Sequence, residues 1–196
     1  MEKVLIKRVT EDWEIEGIKT LEEENNLANI SKEESAKEGF VTASYSIDLL
    51  RRMNEIQPSI IALHGNKVVG YALVTDKELY GQHSLLDSLF DALADMNYQG
   101  EKLGESKVVL VGQLCVAKPF RGQGLVPKMY NLFKESLINQ YDYCVTDISE
   151  ANPRSIRAHE KCGFKIIDTL EYEGVKWHIV IWDWINNSKK GDFERL

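Results

Sequence analysis

Apolar residues recur along the chain in two spacings, and the order of these spacings predicts a mixed α/β protein. Alternation of apolar and polar residues is typical of strands, whereas apolar residues three or four positions apart are typical of helices. Two apolar runs flank Gly65-Asn66, a two-residue loop that favours a β-hairpin. The predicted elements, in chain order, are strand 4–8, helix 11–26, helix 46–56, strand 59–64, strand 67–75, strand 107–117, helix 125–137, strand 142–148, helix 153–162, strand 164–170 and strand 175–184.

The run at 107–117 is apolar almost throughout, as expected for a strand that is covered on both faces of a sheet. A helix at 125–137 and a strand at 142–148 follow it. A strand, helix and strand in this order pair the two strands in parallel, so 107–117 is expected at the centre of the sheet.

The segment 76–106 interrupts this order and is predicted to be an insertion. A connection of this length is usually functional or partly mobile. The apolar residues at helical spacing within it are Leu85, Leu86, Leu89 and Leu93. Residues 1–185 are predicted to form one domain that contains this insertion. Residues 186–196 are predicted to form a polar tail that frays.

Composition excludes several classes of protein. With 24 Lys and Arg against 31 Asp and Glu, the formal net charge is -7, which argues against wholesale binding of nucleic acid or an anionic membrane. A chain of 196 residues buries enough surface to fold without disulfides or a structural metal. The four histidines have no spacing to acids or cysteines that suits zinc, so no metal is expected.

The cysteines indicate the compartment. Cys115, Cys144 and Cys162 form no C-x-x-C pair and are interpreted as reduced thiols. The start of the chain has no apolar stretch of the signal type, and no run is long and apolar enough to span a bilayer. We therefore expect a cytoplasmic protein without a membrane partner.

The loop after strand 107–117 carries the most informative motif. Gly122 and Gly124 let the backbone approach a ligand closely, and the following helix places its positive end there. From Lys118 to Lys134 there are four basic residues and no acid, which suits a phosphate. The alternative is a plain glycine-rich turn with solvated lysines. Pro127 excludes a dinucleotide fingerprint, and no Gly-Lys-Ser/Thr follows to make a P-loop.

Two motifs resemble the acyl-CoA site of the GNAT acetyltransferases. The family signature is Arg or Gln, two residues, Gly, one residue, then Gly or Ala, and 121–126 matches it except at the bulkier Val126. The family's second run of Asn, a small residue, Tyr and Gly-Phe has its counterpart in Asn152, Ser155, His159 and Gly163-Phe164, with His in place of Tyr.

This resemblance implies a fold and a cosubstrate. The fold is an α/β (α+β) one, with a mixed, mostly antiparallel sheet of about seven strands, flanking helices and central parallel strands that splay apart to admit pantetheine. The cosubstrate is acetyl-CoA, with the pyrophosphate held by loop amides. The implied cofactor-binding residues are Leu114, Cys115, Val116, Arg121, Gly122, Gln123, Gly124, Leu125, Val126, Asn152, Ser155 and His159.

The catalytic groups are predicted with alternatives. His159 stands near the C-terminal end of its helix, where the dipole favours a charged imidazole that donates a proton to the leaving thiolate; the alternative is that it packs or bonds a carbonyl. Strand 107–117 has no carboxylate, only Gln113, so Asp147 and Glu150 are the candidate bases, although each also suits a turn or cap. An acyl-cysteine route through Cys115 or Cys144 is disfavoured, because buried thiols stay protonated.

The predicted function is transfer of an acetyl group from acetyl-CoA to an amine by direct attack. The alternative is a non-catalytic acyl-CoA-binding or sensor domain, and a homodimer is left open. Asp87, Asp91 and Asp95 recur every four residues in the insertion. They are read either as a stripe that attracts a cationic amine or as a solvated acidic surface.

Overall fold

The computed structural model describes residues 3–185, so the predicted tail at 186–196 lies outside the described residues. Every element predicted above is present, with ends that differ by two residues at most. In chain order the elements are β1 (Leu5–Arg8), α1 (Asp12–Asn25), α2 (Lys32–Glu38), α3 (Ile47–Ile56), β2 (Ile60–His64), β3 (Lys67–Thr75), α4 (Ser84–Ala94), β4 (Asn97–Tyr98), β5 (Glu101–Lys102), β6 (Val108–Val116), α5 (Leu125–Leu137), β7 (Tyr143–Ser149), α6 (Pro153–Glu160), β8 (Lys165–Tyr172) and β9 (Val175–Asp183).

Seven of these strands form one mixed sheet in the order β1-β2-β3-β6-β7-β9-β8. The central strands β6 and β7 pair in parallel, while their outer neighbours β3 and β9 pair with them antiparallel. The expected mixed, mostly antiparallel sheet with a central parallel pair is confirmed.

The parallel strands separate soon after they begin. Their backbone register joins Val108–Leu110 to Tyr143–Val145. Just beyond, the Thr146 hydroxyl donates to the Val111 carbonyl oxygen across 2.7 Å. No further residues of β6 and β7 are in register within 3–185. The two strands therefore leave a gap at their C-terminal ends, which is the splay that the resemblance implied.

The two faces of the sheet carry different helices. Cys144 of β7 belongs to the cluster that contains Tyr130 and Phe133 of α5. Its neighbour Val145 belongs to a second cluster, with Leu89 of α4. Because side chains alternate along a strand, Asp147 lies on the same face as Val145, toward α4.

Two features of the fold have no counterpart in the apolar pattern. Helix α2 has the sequence Lys-Glu-Glu-Ser-Ala-Lys-Glu, which lacks the apolar spacing of an amphipathic helix. Strands β4 and β5 have two residues each and are too short to show alternation. Within the described part of the chain, no helix combines the length and apolar character needed to cross a membrane.

Candidate active site

The loop between β6 and α5 has the backbone that an anion-binding turn requires. Gly122 and Gly124 adopt φ values of 76° and 72°, in the left-handed region that side chains rarely adopt. A Cβ at either glycine would meet nothing within 4 Å, so the backbone conformation, and not crowding, favours glycine there. Gly124 is the N-cap of α5, and the first amides of this helix have no partner within it. These amides and the positive helix end suit a phosphate.

A cavity of about 430 Å³ lies between this loop, the end of β6 and α6. Arg154, Arg157 and Lys161 bring three cationic side chains to its wall. The predicted cofactor-binding residues that line it are Leu114, Cys115, Val116, Arg121, Gly122, Gly124, Leu125, Val126, Asn152 and Ser155. This cavity therefore brings together most of the predicted cofactor residues.

Two predicted cofactor residues lie outside this cavity. Gln123 is exposed, and its side-chain amide donates to the Pro119 carbonyl oxygen across 2.9 Å. His159 is buried and lines a smaller cavity described below. The side chain of Gln123 thus stabilises the turn that precedes it.

The Arg121 side chain ties the loop to the N-terminal helices. Its Nε donates to the Val116 carbonyl oxygen across 2.9 Å. One terminal nitrogen donates to the Glu38 carbonyl oxygen across 2.8 Å, and the other to the Asn25 amide oxygen across 2.6 Å. Since this guanidinium is bound to protein groups, it positions the loop, and the backbone amides of the loop are left to bind a ligand.

Residues 38–41, here called the strap, close one side of the site. Arg154 donates to the Glu38 carboxylate across 3.2 Å, and the Asn152 side-chain amide donates to the Phe40 carbonyl oxygen across 2.9 Å. Asn152 also caps α6 as predicted, because its Oδ1 accepts from the Ser155 amide across 3.2 Å. The sequence pattern did not identify the strap, since its partners lie more than 80 residues away.

A second cavity, of about 60 Å³, lies in the gap between β6 and β7. Its walls include Leu85, Gln113, Asp147 and Trp177. The residues that line both cavities are Phe40, Val41, Leu114, Asn152 and Ser155. The two cavities therefore meet where the parallel strands part.

Asp147 is the carboxyl group of the smaller cavity. Burial raises its pKa to about 7, because the low-polarity surroundings disfavour the charged form. Its Oδ2 is buried and has no hydrogen-bond partner among the described residues. A carboxyl group that changes charge near neutral pH and has an unpaired oxygen is suited to accept a proton.

His159 differs from the expectation for a charged imidazole. Its Nδ1 lies 2.8 Å from the Ser155 carbonyl oxygen, which can only accept, so Nδ1 carries the proton. Its Nε2 therefore accepts from the Tyr130 hydroxyl, 2.6 Å away. Burial lowers the pKa of His159 to about 4. The expectation of a charged imidazole is wrong, because desolvation on burial disfavours the charged form.

Glu150 and the cysteines have no geometry that favours catalysis. Glu150 is exposed in the turn after β7 and lines neither of the two cavities. Burial raises the pKa of the Cys115 thiol to about 12 and that of Cys144 well above its ordinary value. These thiols are protonated at neutral pH, as expected for structural cysteines.

The three aspartates of the acidic stripe on and after α4, Asp87, Asp91 and Asp95, contact groups in the adjacent segments. Asp87 accepts from the Gly81 amide across 2.8 Å, and Asp91 accepts from the Tyr80 hydroxyl across 2.8 Å. Asp95 lies 3.2 Å from the Lys102 ammonium. These local bonds favour the interpretation of the stripe as a surface that holds the flanking loops.

A splayed parallel pair beside a glycine-rich loop at a helix N-terminus is the arrangement that the resemblance implied for an acyl-CoA site. The sequence pattern of the Acetyltransferase (GNAT) family matches residues 21–164. The chain belongs to this family, so the resemblance drawn from the two motifs is confirmed.

Solved structures share the fold. A GNAT-family acetyltransferase from Streptococcus agalactiae is 17% identical, with a TM-score of 0.63 over 92% of this chain and 95% of that chain. The putative acetyltransferase yncA from Salmonella typhimurium, solved with acetyl-CoA, is 15% identical, with a TM-score of 0.59 over 92% and 93%. Ribosomal-protein-alanine N-acetyltransferase from Brucella melitensis is 18% identical, with a TM-score of 0.58 over 91% and 99%. No curated protein sequence matches the chain.

Proposed function

We propose that this GNAT protein transfers an acetyl group from acetyl-CoA to a primary amine, which attacks the thioester directly. The observation that carries the proposal is the meeting of two cavities at Leu114 and Ser155. One cavity has the anion-binding loop, and the other has a carboxyl group that titrates near neutral pH. A bound thioester and an amine can meet there without a covalent enzyme intermediate.

The backbone geometry and the charges that line the larger cavity support acetyl-CoA as its ligand. The left-handed glycines and the N-terminal amides of α5 suit the pyrophosphate, and Arg154, Arg157 and Lys161 add positive charge beside it. The end of β6, at 114–116, has lost its parallel neighbour and offers backbone groups to the pantetheine arm. Acetyl-CoA supplies the acetyl group as an activated thioester.

Asp147 is assigned as the general base. An ammonium group cannot attack, so the acceptor must first lose a proton, and we assign the Asp147 carboxylate, whose Oδ2 has no partner among the described residues, to accept it. A C–N bond then forms as the C–S bond breaks; the nitrogen gives its second proton to the departing thiolate, and Asp147 returns the first proton to solvent. The carboxylate that strand β6 lacks is thus supplied by β7.

Of the five residues that line both cavities, Ser155 is the one with a hydroxyl group. We assign its hydroxyl to a hydrogen bond with the departing sulfur. His159 binds the Ser155 carbonyl oxygen and so holds the first turn of α6 in place. The predicted catalytic part played by His159 stays a prediction, and in its neutral form the ring acts through this contact.

The alternative function is a non-catalytic acyl-CoA-binding or sensor domain, which the Tyr-to-His change favours. Two measurements separate the two functions: calorimetry of acetyl-CoA binding, and mass spectrometry of an amine that has been incubated with the protein and acetyl-CoA. We expect binding together with an acetylated amine. Binding without product from any of a panel of primary amines would support the sensor, and no binding would contradict both.

A cytoplasmic location belongs to the same proposal, and a homodimer is one of the assemblies to be tested. The three cysteines are free, two of them buried, which supports a reducing compartment. Light scattering decides the assembly, because a homodimer has twice the 22.4 kDa mass of the chain.

A further inference from the structure

Trp177 lines the smaller cavity and carries a buried hydrogen-bond donor. The residue is 6% exposed. Its Nε1 has no hydrogen-bond partner within residues 3–185. An indole N–H donates and does not accept, so the group that satisfies it must carry an acceptor atom. Because an unpaired buried donor costs free energy, this N–H indicates a ligand.

Asp147, which lines the same cavity, carries a complementary unpaired atom, its Oδ2. The register of β7 and β9 pairs Asp147 with Ile179, two residues from Trp177. Residues two apart on a strand share a face, and diagonal neighbours on antiparallel strands lie about 7–8 Å apart. One small molecule can therefore contact both side chains. The pair offers an acceptor oxygen and a donor N–H to the same ligand.

Trp182 serves as the comparison for Trp177, because packing against its neighbours explains its position. Trp182, on the opposite face of β9, has its ring 6.0 Å from Tyr130 and 5.5 Å from Phe164, centroid to centroid. The Lys134 ammonium lies 5.3 Å from the Trp182 ring centroid. Trp182 lines neither of the two cavities. Trp182 is therefore a suitable control position for substitutions of Trp177.

We propose that the acceptor is a primary amine with a carbonyl or hydroxyl oxygen on the neighbouring carbon, an N–C–C–O unit bound between Asp147 and Trp177. The amine donates to Asp147 Oδ2, and the oxygen accepts from Trp177 Nε1. The inference rests on the proposed function and names the substrate class of that site. A cavity of about 60 Å³ admits only this end of the acceptor.

The same geometry rejects simple alkylamines, including the side chain of a lysine. Such an amine has no oxygen near its nitrogen, so it leaves the Trp177 N–H buried and unpaired. A site built to bond a polar group rejects the analogue that lacks it much more strongly than a site that distinguishes only size.

Two pairs of amines of matched size test the inference. Glycinamide is compared with isobutylamine, and ethanolamine with propylamine, and kcat/KM is referred to the unprotonated amine. We expect the oxygen-bearing member to be favoured by roughly 5- to 150-fold, the range for one unpaired buried group. The first pair reports on a carbonyl oxygen and the second on a hydroxyl oxygen.

Trp177→Phe removes the N–H and keeps an aromatic ring, and Trp182→Phe is the matched control. We expect the preference to fall toward unity in Trp177→Phe and to persist in Trp182→Phe. The ratio between variants cancels the intrinsic reactivity of each amine. An unchanged preference in a folded Trp177→Phe protein overturns the inference.

If Trp177→Phe does not fold, the wild-type protein alone still tests the inference. Equal kcat/KM values within both amine pairs overturn the inference and leave the proposed function standing. If none of the four amines is acetylated, both are overturned.

Discussion

At the scale of single residues, one physical cause acts in opposite directions on two groups of the site. Burial disfavours charge, so it raises the pKa of Asp147 to about 7 and lowers that of His159 to about 4. Near neutral pH the carboxyl group is therefore poised to exchange a proton, while the imidazole stays neutral. Asp147 is therefore suited to proton transfer near neutral pH, and the neutral ring of His159 is suited to hydrogen bonding.

Replacement of Asp147 by Asn removes the base and keeps the shape of the side chain. We expect kcat to fall by about 10²- to 10⁴-fold. In the wild type, kcat/KM is expected to rise with pH and to level off above about 7, since the carboxylate must be ionised. This rise, measured with an amine of known pKa, should be absent in Asp147→Asn. Equal activity of the two proteins would exclude Asp147 as the base.

His159 links stability to pH. Its pKa falls from the ordinary 6.5 to about 4 on folding, so between these values the unfolded chain binds more protons. Stability from this group is therefore complete above pH 6.5 and is lost as the pH falls toward 4. Asp147, with a raised pKa, acts in the opposite direction, so the comparison must isolate His159.

Urea unfolding at pH 7.5 and 5, for the wild type and for His159→Phe, makes that comparison. The wild type should lose more unfolding free energy than the variant between the two pH values. An equal loss in both proteins would show that the imidazole is protonated freely in the folded state.

At the scale of elements, periodicity predicts those with a regular apolar face and fails where distant contacts hold a segment in place. Strand β6 was predictable because its run is apolar almost throughout, and helix α5 because its apolar residues recur at helical spacing. Helix α2 was not, because its polar sequence is anchored through Glu38 to Arg121 and Arg154. The glycine-rich loop could be selected as a candidate from two glycines and a missing acid, since the binding proposed for it uses the backbone.

The loop can be tested with Gly124→Asp. This change adds a Cβ at a left-handed φ of 72° and a negative charge at the helix end that should bind pyrophosphate. Calorimetry should show that acetyl-CoA binding is lost. Gly174→Asp is the matched control, since Gly174 has a φ of 73° in the β8–β9 turn and also has open space around it. Unchanged affinity in folded Gly124→Asp would contradict the loop assignment.

At the scale of the whole molecule, the site forms where two neighbouring strands of the sheet, β6 and β7, separate. The parallel pairing ends after three positions, and the two cavities meet in the gap that follows. The residues that line the smaller cavity lie far apart in the chain. They include Phe40, Leu85, Gln113, Asp147 and Trp177. Asp147 was a candidate from its place at a strand end, but the partnership with Trp177 depends on register and could not be predicted from the sequence.

The central claim is that the amine and acetyl-CoA occupy their two cavities together and react directly. Initial rates of CoA release, measured while both acetyl-CoA and glycinamide are varied, test it most directly. The account predicts double-reciprocal lines that intersect, as required when both substrates must be bound before reaction. Parallel lines, which indicate an acetylated enzyme, or a rate of CoA release that does not depend on the amine, would contradict it.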